Sequence, residues 1–213
     1  MTTAAALTYD SLVSDITVYA DRSDEPFTTQ IPRFIMLAEN RIASEIRGLG
    51  YRKVVTGTLD ANSPVVIKPA RWRETISINF GIGTLNNNRV FLKLRTYEYC
   101  RSYWPDSSVA DVPKFYADYN YDNYLIVPTP LADYPFELVY HERPLPLSSD
   151  NQTNWTTEYA PQLLLYACLL EAAPFLKNYE VQPMWQAMYD KAAAGISQED
   201  MAQATDRTGR VQA

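Results

Sequence analysis

Apolar residues recur at helical spacing at both ends of this chain and at strand spacing in its middle. Near the start, Thr8 predicts an N-cap for a helix that places Leu12, Val13, Ile16 and Tyr19 on one stripe. A polar break follows at residues 21–26 (DRSDEP). A second helix is expected from Thr28 or Thr29, with Pro32 in its first turn. Its apolar stripe is Ile31, Phe34, Ile35, Ala38, Ile42, Ile46 and Leu49, and Gly48 and Gly50 end it. Arg33, Glu39, Asn40, Arg41, Ser44, Glu45 and Arg47 are assigned to the opposite, polar face.

The most apolar stretch is residues 154–176 (NWTTEYAPQLLLYACLLEAAPFL). Thr157 predicts a cap, Glu158 occupies the first turn, and Pro161 is tolerated there. Leu163 to Leu170 then run without a polar break, so the helix must be enclosed on every side. The run is far short of the roughly 20 residues a membrane span needs, and Pro161, Glu171 and Pro174 bracket it. It reads as a core helix that the rest of the chain covers. A last helix is expected over 180–197, with Trp185, Met188, Tyr189, Ala192 and Ile196 on one face. Residues 198–213 form a polar tail without periodicity.

Between the helical ends, short runs rich in Val, Ile, Tyr, Phe and Thr alternate with turn residues. The strands are placed at 52–59, 64–68, 73–80, 89–94, 114–121, 124–127 and 136–142. Asp122-Asn123 is expected as a tight hairpin turn, and Asn86-Asn87-Asn88 as another. Residues 96–103 read as a short helix stopped by Pro105. The expected fold is therefore α+β: a helical bundle built from 1–50 and 150–197, an inserted small antiparallel sandwich or barrel-like unit at 51–149, and a tail at 198–213.

Charge narrows the function classes. The formal net charge is −6 and the pI about 4.9, so the whole chain has no electrostatic attraction to nucleic acid or anionic lipid. Cys100, beside an expected loop, and Cys168, inside the core helix, read as free thiols in a reducing compartment. The N-terminus has neither a basic region nor a long apolar core, so no signal peptide is expected.

The chemistry on offer is sparse. His141 is the only histidine, and no Cys or His pair has metal spacing, so no metal site and no cofactor is expected. Nucleophilic catalysis would have to converge on that one base. The sequence has 7 glycines and shows neither a phosphate-binding loop nor a dinucleotide pattern. The 16 tyrosines, densest in KFYADYNYDNY at 114–124, raise a single-strand nucleic-acid platform. That needs interleaved Lys and Arg, and the segment offers Lys114 against Asp118 and Asp122. Tyrosines on a sheet surface are the default reading, with a carbohydrate-binding face as the alternative.

Three stretches carry a resemblance. The first two are Tyr9, Asp10, Leu12, Val13 and then Gln30, Ile31, Pro32, Phe34, Ile35, Leu37, Ala38, Glu39, Arg41, Ile42. The third is Asn154, Trp155, Ala160, Pro161, Leu163, Leu165, Tyr166, Ala167, Leu169, Leu170, Glu171, Ala172, Ala173, Pro174. In this order and at this distance they resemble the adaptor, or head-to-tail connector, proteins of tailed bacteriophages. The middle third agrees in pattern alone.

The resemblance implies a structural virion protein, not an enzyme, that forms a ring, commonly of twelve copies, under the portal. Its partners would be the portal protein, tail, nozzle or neck proteins, other copies of itself, and DNA passing through the channel without sequence-specific binding. No membrane is involved, and assembly would occur in the host cytoplasm. The matching family segment implies a portal contact in the tail, with Met201, Arg207, Arg210 and Val211 as its anchors. Arg71-Trp72-Arg73 marks a corner; Arg71 stands where the family carries an acid. It reads as structural, with a salt bridge to a neighbouring subunit as the alternative. A virion peptidoglycan hydrolase and a carbohydrate-binding tail component remain competing readings.

Overall fold

A computed structural model of the chain describes residues 6–82 and 88–204. The protein is α+β and divides into a helical unit, Met1–Tyr51 with Pro144–Ala213, and a β unit, Arg52–Arg143. The helical unit opens with α1 (Tyr9–Tyr19), where Thr8 and Ser11 cap each other reciprocally and Leu12 and Ile16 are fully buried. The polar break is shorter than its composition suggested. Its end already winds into α2 (Glu25–Thr28), which buries Phe27. Helix α3 (Ile31–Glu45) begins with Pro32 in its first turn and buries Ile31, Phe34, Ile35, Ala38 and Ile42. It stops before the glycines, because Ile46 is already extended; a 3-10 turn, Leu49–Tyr51, follows.

The β unit contains, in chain order, β1 (Arg52–Leu59), β2 (Val65–Ile67), β3 (Trp72–Ile82), β4 (Asn88–Phe91), β5 (Lys93–Leu94) and α4 (Tyr97–Tyr103). It continues with β6 (Ala110–Asp111), β7 (Phe115–Asp118), β8 (Asn123–Val127), β9 (Thr129–Pro130) and β10 (Tyr134–Glu142). Strands β1-β10-β3-β4 form one antiparallel sheet, and β2-β8-β7-β5 a second in which β5 joins β7 in parallel. The short parallel pair β6-β9 stands beside them. The sheets of the described residues are open, so the barrel-like alternative is not realised.

Leu59, Ile78, Phe80, Tyr134, Leu138 and Tyr140 of the first sheet share one core with Tyr116, Tyr124 and Ile126 of the second. The intervening residues Ala117, Leu125 and Val127 pack with Cys100 of α4 on the other side. Strand β8 is thus covered on both faces, which is why it reads as an unbroken apolar run. Cys100 lies inside that helix, not beside a loop.

Two turn assignments change. The β7–β8 connection is not a tight Asp122-Asn123 turn. Asn123 already belongs to β8, and neither residue has positive φ. Residues 119–122 form the loop, held by the Asn120 side chain accepting from the Asp122 N–H at 2.9 Å. In the Asn86-Asn87-Asn88 turn, Asn86 and Asn87 lie outside the described residues, and Asn88 opens β4.

Back in the helical unit, the long apolar stretch is two helices. Helix α5 (Trp155–Tyr159) ends at Ala160, whose φ of −135° breaks the path, and α6 (Pro161–Leu176) restarts on Pro161. Leu163, Leu164, Ala167, Cys168, Leu169, Leu170, Ala172 and Ala173 are all buried there, and Lys177 closes the helix in the left-handed conformation. Helix α7 (Gln182–Ala204) packs Trp185 and Tyr189 against the same core. It runs seven residues past the expected end at 197, so the tail is helical to Ala204. Among the described residues no helix is long and apolar enough to cross a membrane.

Candidate functional site

The two longest sequence motifs of the helical unit, 115 residues apart where they bond directly, meet in one polar joint. Asn154 caps α5 by accepting from the N–H groups of Thr156 at 3.0 Å and Thr157 at 3.2 Å. Thr157 returns the bond by accepting from the Asn154 N–H at 2.9 Å. The cap is therefore Asn154, and the expected cap Thr157 is its reciprocal partner three residues on. The amide of Asn154 is left to donate outward, and it does so to Glu39 Oε1 at 2.8 Å. Both oxygens of Glu39 also accept from the Leu147 N–H at 3.2 Å.

Glu39 is thus not on the polar face of α3. It is 8% exposed, and burial pushes its carboxyl up to about 7 against the lowering effect of its two donors. Two further contacts tie the motifs. Arg41 forks onto Glu171 Oε1 at 2.6 and 2.7 Å. Tyr51 packs its ring tilted against Trp155, centroids 5.0 Å apart, and bonds Thr156 Oγ1 at 2.9 Å. Gly50 makes that packing possible: a Cβ there would lie 2.0 Å from the Trp155 ring. Sequence reasoning missed this joint, although the spacing of Ile35, Ala38, Glu39 and Ile42 puts Glu39 on the apolar stripe.

The joint fixes α5 and α6, and α6 carries α7. The Tyr189 hydroxyl donates to Glu45 of α3, and Asp200 accepts from the Leu49 N–H at 3.2 Å. Between Tyr189 and Met201 no described side chain of α7 is buried. A cleft of about 500 Å³ opens along this stretch, lined by Tyr159, Tyr166, Met188, Lys191, Ile196 and Glu199. Met201 stands 64% exposed at its end. Arg207, Arg210 and Val211 lie outside the described residues.

Arg71, Trp72 and Arg73 occupy a corner between β2 and β3. Arg71 has φ 58° and pairs with Glu142 of its own chain at 2.6 Å. Trp72 donates to Thr75 at 3.0 Å and lies under the Lys68 ammonium, 3.8 Å from its ring centroid. Arg73 is half-buried at the start of β3. His141 faces Glu74 across the β10–β3 pairing at 3.7 Å. Burial raises the thiols of both Cys100 and Cys168. Among the described residues no group of three His, Cys, Asp or Glu side chains could hold a metal ion.

A family model described as SU10 adaptor protein matches residues 7–212. The chain belongs to the SU10 adaptor protein family. It is a phage adaptor, a structural component of the virion. No curated protein matches it. The family match runs through the β unit, where the motifs were silent, as well as through both helical ends. In this adaptor the quoted motif residues Glu39, Arg41, Asn154, Trp155 and Glu171 are those that make the joint.

Proposed function

We propose that this adaptor joins head to tail: copies assemble as a ring, twelve in the family's pattern, beneath the portal, around a channel for DNA. In this reading 1–50 and 150–197 form the ring body, 51–149 is an inserted β domain, and the chain's end reaches the portal. Tail, nozzle or neck proteins would dock on the opposite side. The role is structural rather than catalytic, and assembly takes place in the host cytoplasm.

The observation that carries this reading is α7. Beyond Tyr189 this 23-residue helix keeps the core on one side through Ala192, Ala193 and Ile196 and leaves its other side exposed, a surface that a partner can cover. It leads into Arg207, Arg210 and Val211, which with Met201 supply charge and small apolar anchors for a portal surface. One copy would bind weakly, and a ring engages many copies at once. Arg71, Trp72 and Arg73 are proposed as a secondary contact to the next copy.

A strongly acidic helical unit also suits a channel that DNA must traverse without sticking; a ring of twelve would carry about −72 in all. Electron microscopy of the full chain mixed with its cognate portal tests the reading. A ring of density under the portal is expected. Bare portals at saturating protein would overturn it.

A further inference from the structure

The β unit carries an exposed patch of tyrosines that neither the sheet cores nor the corner uses. Tyr97, Tyr99 and Tyr103 project from α4, and Tyr119 from the β7–β8 loop; all four are 39–43% exposed. The fold brings them the arginines that the tyrosine-rich segment itself lacks. Arg95 lies 5.6 Å from the Tyr99 ring and 5.5 Å from Phe115, and Arg101 lies 5.4 Å from Tyr97 and 6.0 Å from Tyr119. The rings brace one another, Tyr97 on Tyr119 at 6.0 Å and Tyr99 on Tyr103 at 6.2 Å.

Among the described residues no carboxylate forms an ion pair with these guanidiniums. Arg95 donates to the Leu94 carbonyl and Arg101 to the Tyr97 hydroxyl. The nearby Asp118 is held by Lys68 at 2.7 Å. Lys93 and Lys114 add positive charge, and Glu98 is the one acid on α4. Base and sugar ligands need open ring faces, and here a guanidinium covers one face of Tyr97, Tyr99 and Tyr119. What points outward is a set of N–H and O–H donors held in place by stacking, which suits carboxylates on a protein surface.

We propose that this Tyr–Arg face docks on the acidic helical unit of a second copy, as the head-to-tail contact of the ring. Charge complementarity selects the occupant. The helical unit has 15 Asp and Glu against 8 Lys and Arg, a net −7, and the β unit has 10 against 11, a net +1. A contact between two different surfaces of one chain is heterologous and closes into a ring when the rotation allows. The inference rests on the ring reading above and names its interface.

The test uses the full chain with Arg95→Glu/Arg101→Glu, and Arg95→Gln/Arg101→Gln as the milder pair. Self-association is followed by sedimentation in solution and on cognate portals. In mixtures of isotope-labelled and unlabelled protein, carbodiimide should join Lys93 or Lys114 to carboxylates of residues 1–51 or 144–213 on the other copy. Both variants should keep wild-type circular dichroism and lose those cross-links. Self-association should fall at least ~10-fold for the Glu pair and by less for the Gln pair. Variants that assemble and cross-link like wild type would overturn the face while leaving the ring reading intact. Unchanged assembly with lost binding to single- or double-stranded DNA would make nucleic acid the occupant and overturn the proposal. A wild-type chain that forms no ring even on portals would sink the ring reading itself.

Discussion

The two units of this adaptor are stabilised in different ways. The β unit is near charge balance and holds its sheets with register and alternating apolar positions: Leu138 and Tyr140 inward, Val139 between them not. The helical unit carries the acid excess and buries the polar side chains Glu39 and Thr156, joined by the half-buried Asn154, beside an otherwise apolar core. A sheet sandwich tolerates variation of its outward residues. A buried polar joint has to be satisfied completely or it destabilises the core. The unit with the more exacting interior is therefore also the one that holds α7, through Tyr189 on Glu45, Asp200 on the Leu49 N–H and Ile196 against the core.

The largest expected effect is in the apolar part of that interior. Leu169 is fully buried, so Leu169→Asp should destabilise by several kcal/mol, comparable to the stability of a whole domain. Leu165→Asp, at a half-buried position, should cost less. Wild-type soluble yield and an unchanged melting temperature for Leu169→Asp would show that α6 is not central. In the β unit β1 and β10 pair Arg52 with His141, so the ends of the excised segment 52–143 are already adjacent. That segment should fold alone, seen as a cooperative melt with β-type circular dichroism.

The polar joint comes next. Glu39→Ala strands the buried Leu147 N–H, at about 1–3 kcal/mol, while the half-buried Asn154 amide keeps the Leu145 carbonyl at 3.4 Å. The pH dependence follows from the raised carboxyl. Between its ordinary value of 4.5 and about 7 the folded chain holds the Glu39 proton more tightly than the unfolded chain. Stability should therefore fall as pH rises through that window, by up to about 3 kcal/mol. Denaturant titrations of wild type and Glu39→Gln at pH 5 and 7.5 check this. A wild-type slope no steeper than the variant's would contradict the burial of a titrating Glu39.

Smaller effects mark the edges of the comparison. Lys177 sits at φ 53° at the end of α6, so Lys177→Gly should stabilise by about 0.5–1 kcal/mol, read as a rise in melting temperature. His141→Asn should leave particle assembly and infectivity near wild type. A large loss of infectivity with folding intact would reveal chemistry in the β unit.

The difference between the units also explains what was legible in the chain. Periodicity alone places β1 at 52–59 and the helix after Thr96, because both depend on local alternation and a local cap. It also finds the stripe of α3 from Ile31 to Ile42. It assigns Glu39 to solvent by residue type, since only the tertiary fold supplies its donors from 108 and 115 residues away. It joins α5 to α6 because both are apolar and the break at Ala160 is a backbone event. Strands β6 and β9, two residues each, exist through pairing with each other and have no pattern of their own. Of the expected portal anchors only Met201 falls on a described element.

The most direct test of the account is removal of the nine residues after Ala204, which leaves all of α7 and the bond from the Leu49 N–H to Asp200 in place. Retention of this truncated chain on portal-bearing heads is measured against the full chain at equal concentration, with circular dichroism and melting temperature as controls for folding. The account predicts an unchanged fold and loss of retention. Truncated protein that stays on portals as well as the full chain would contradict it and move the attachment to the helical unit itself.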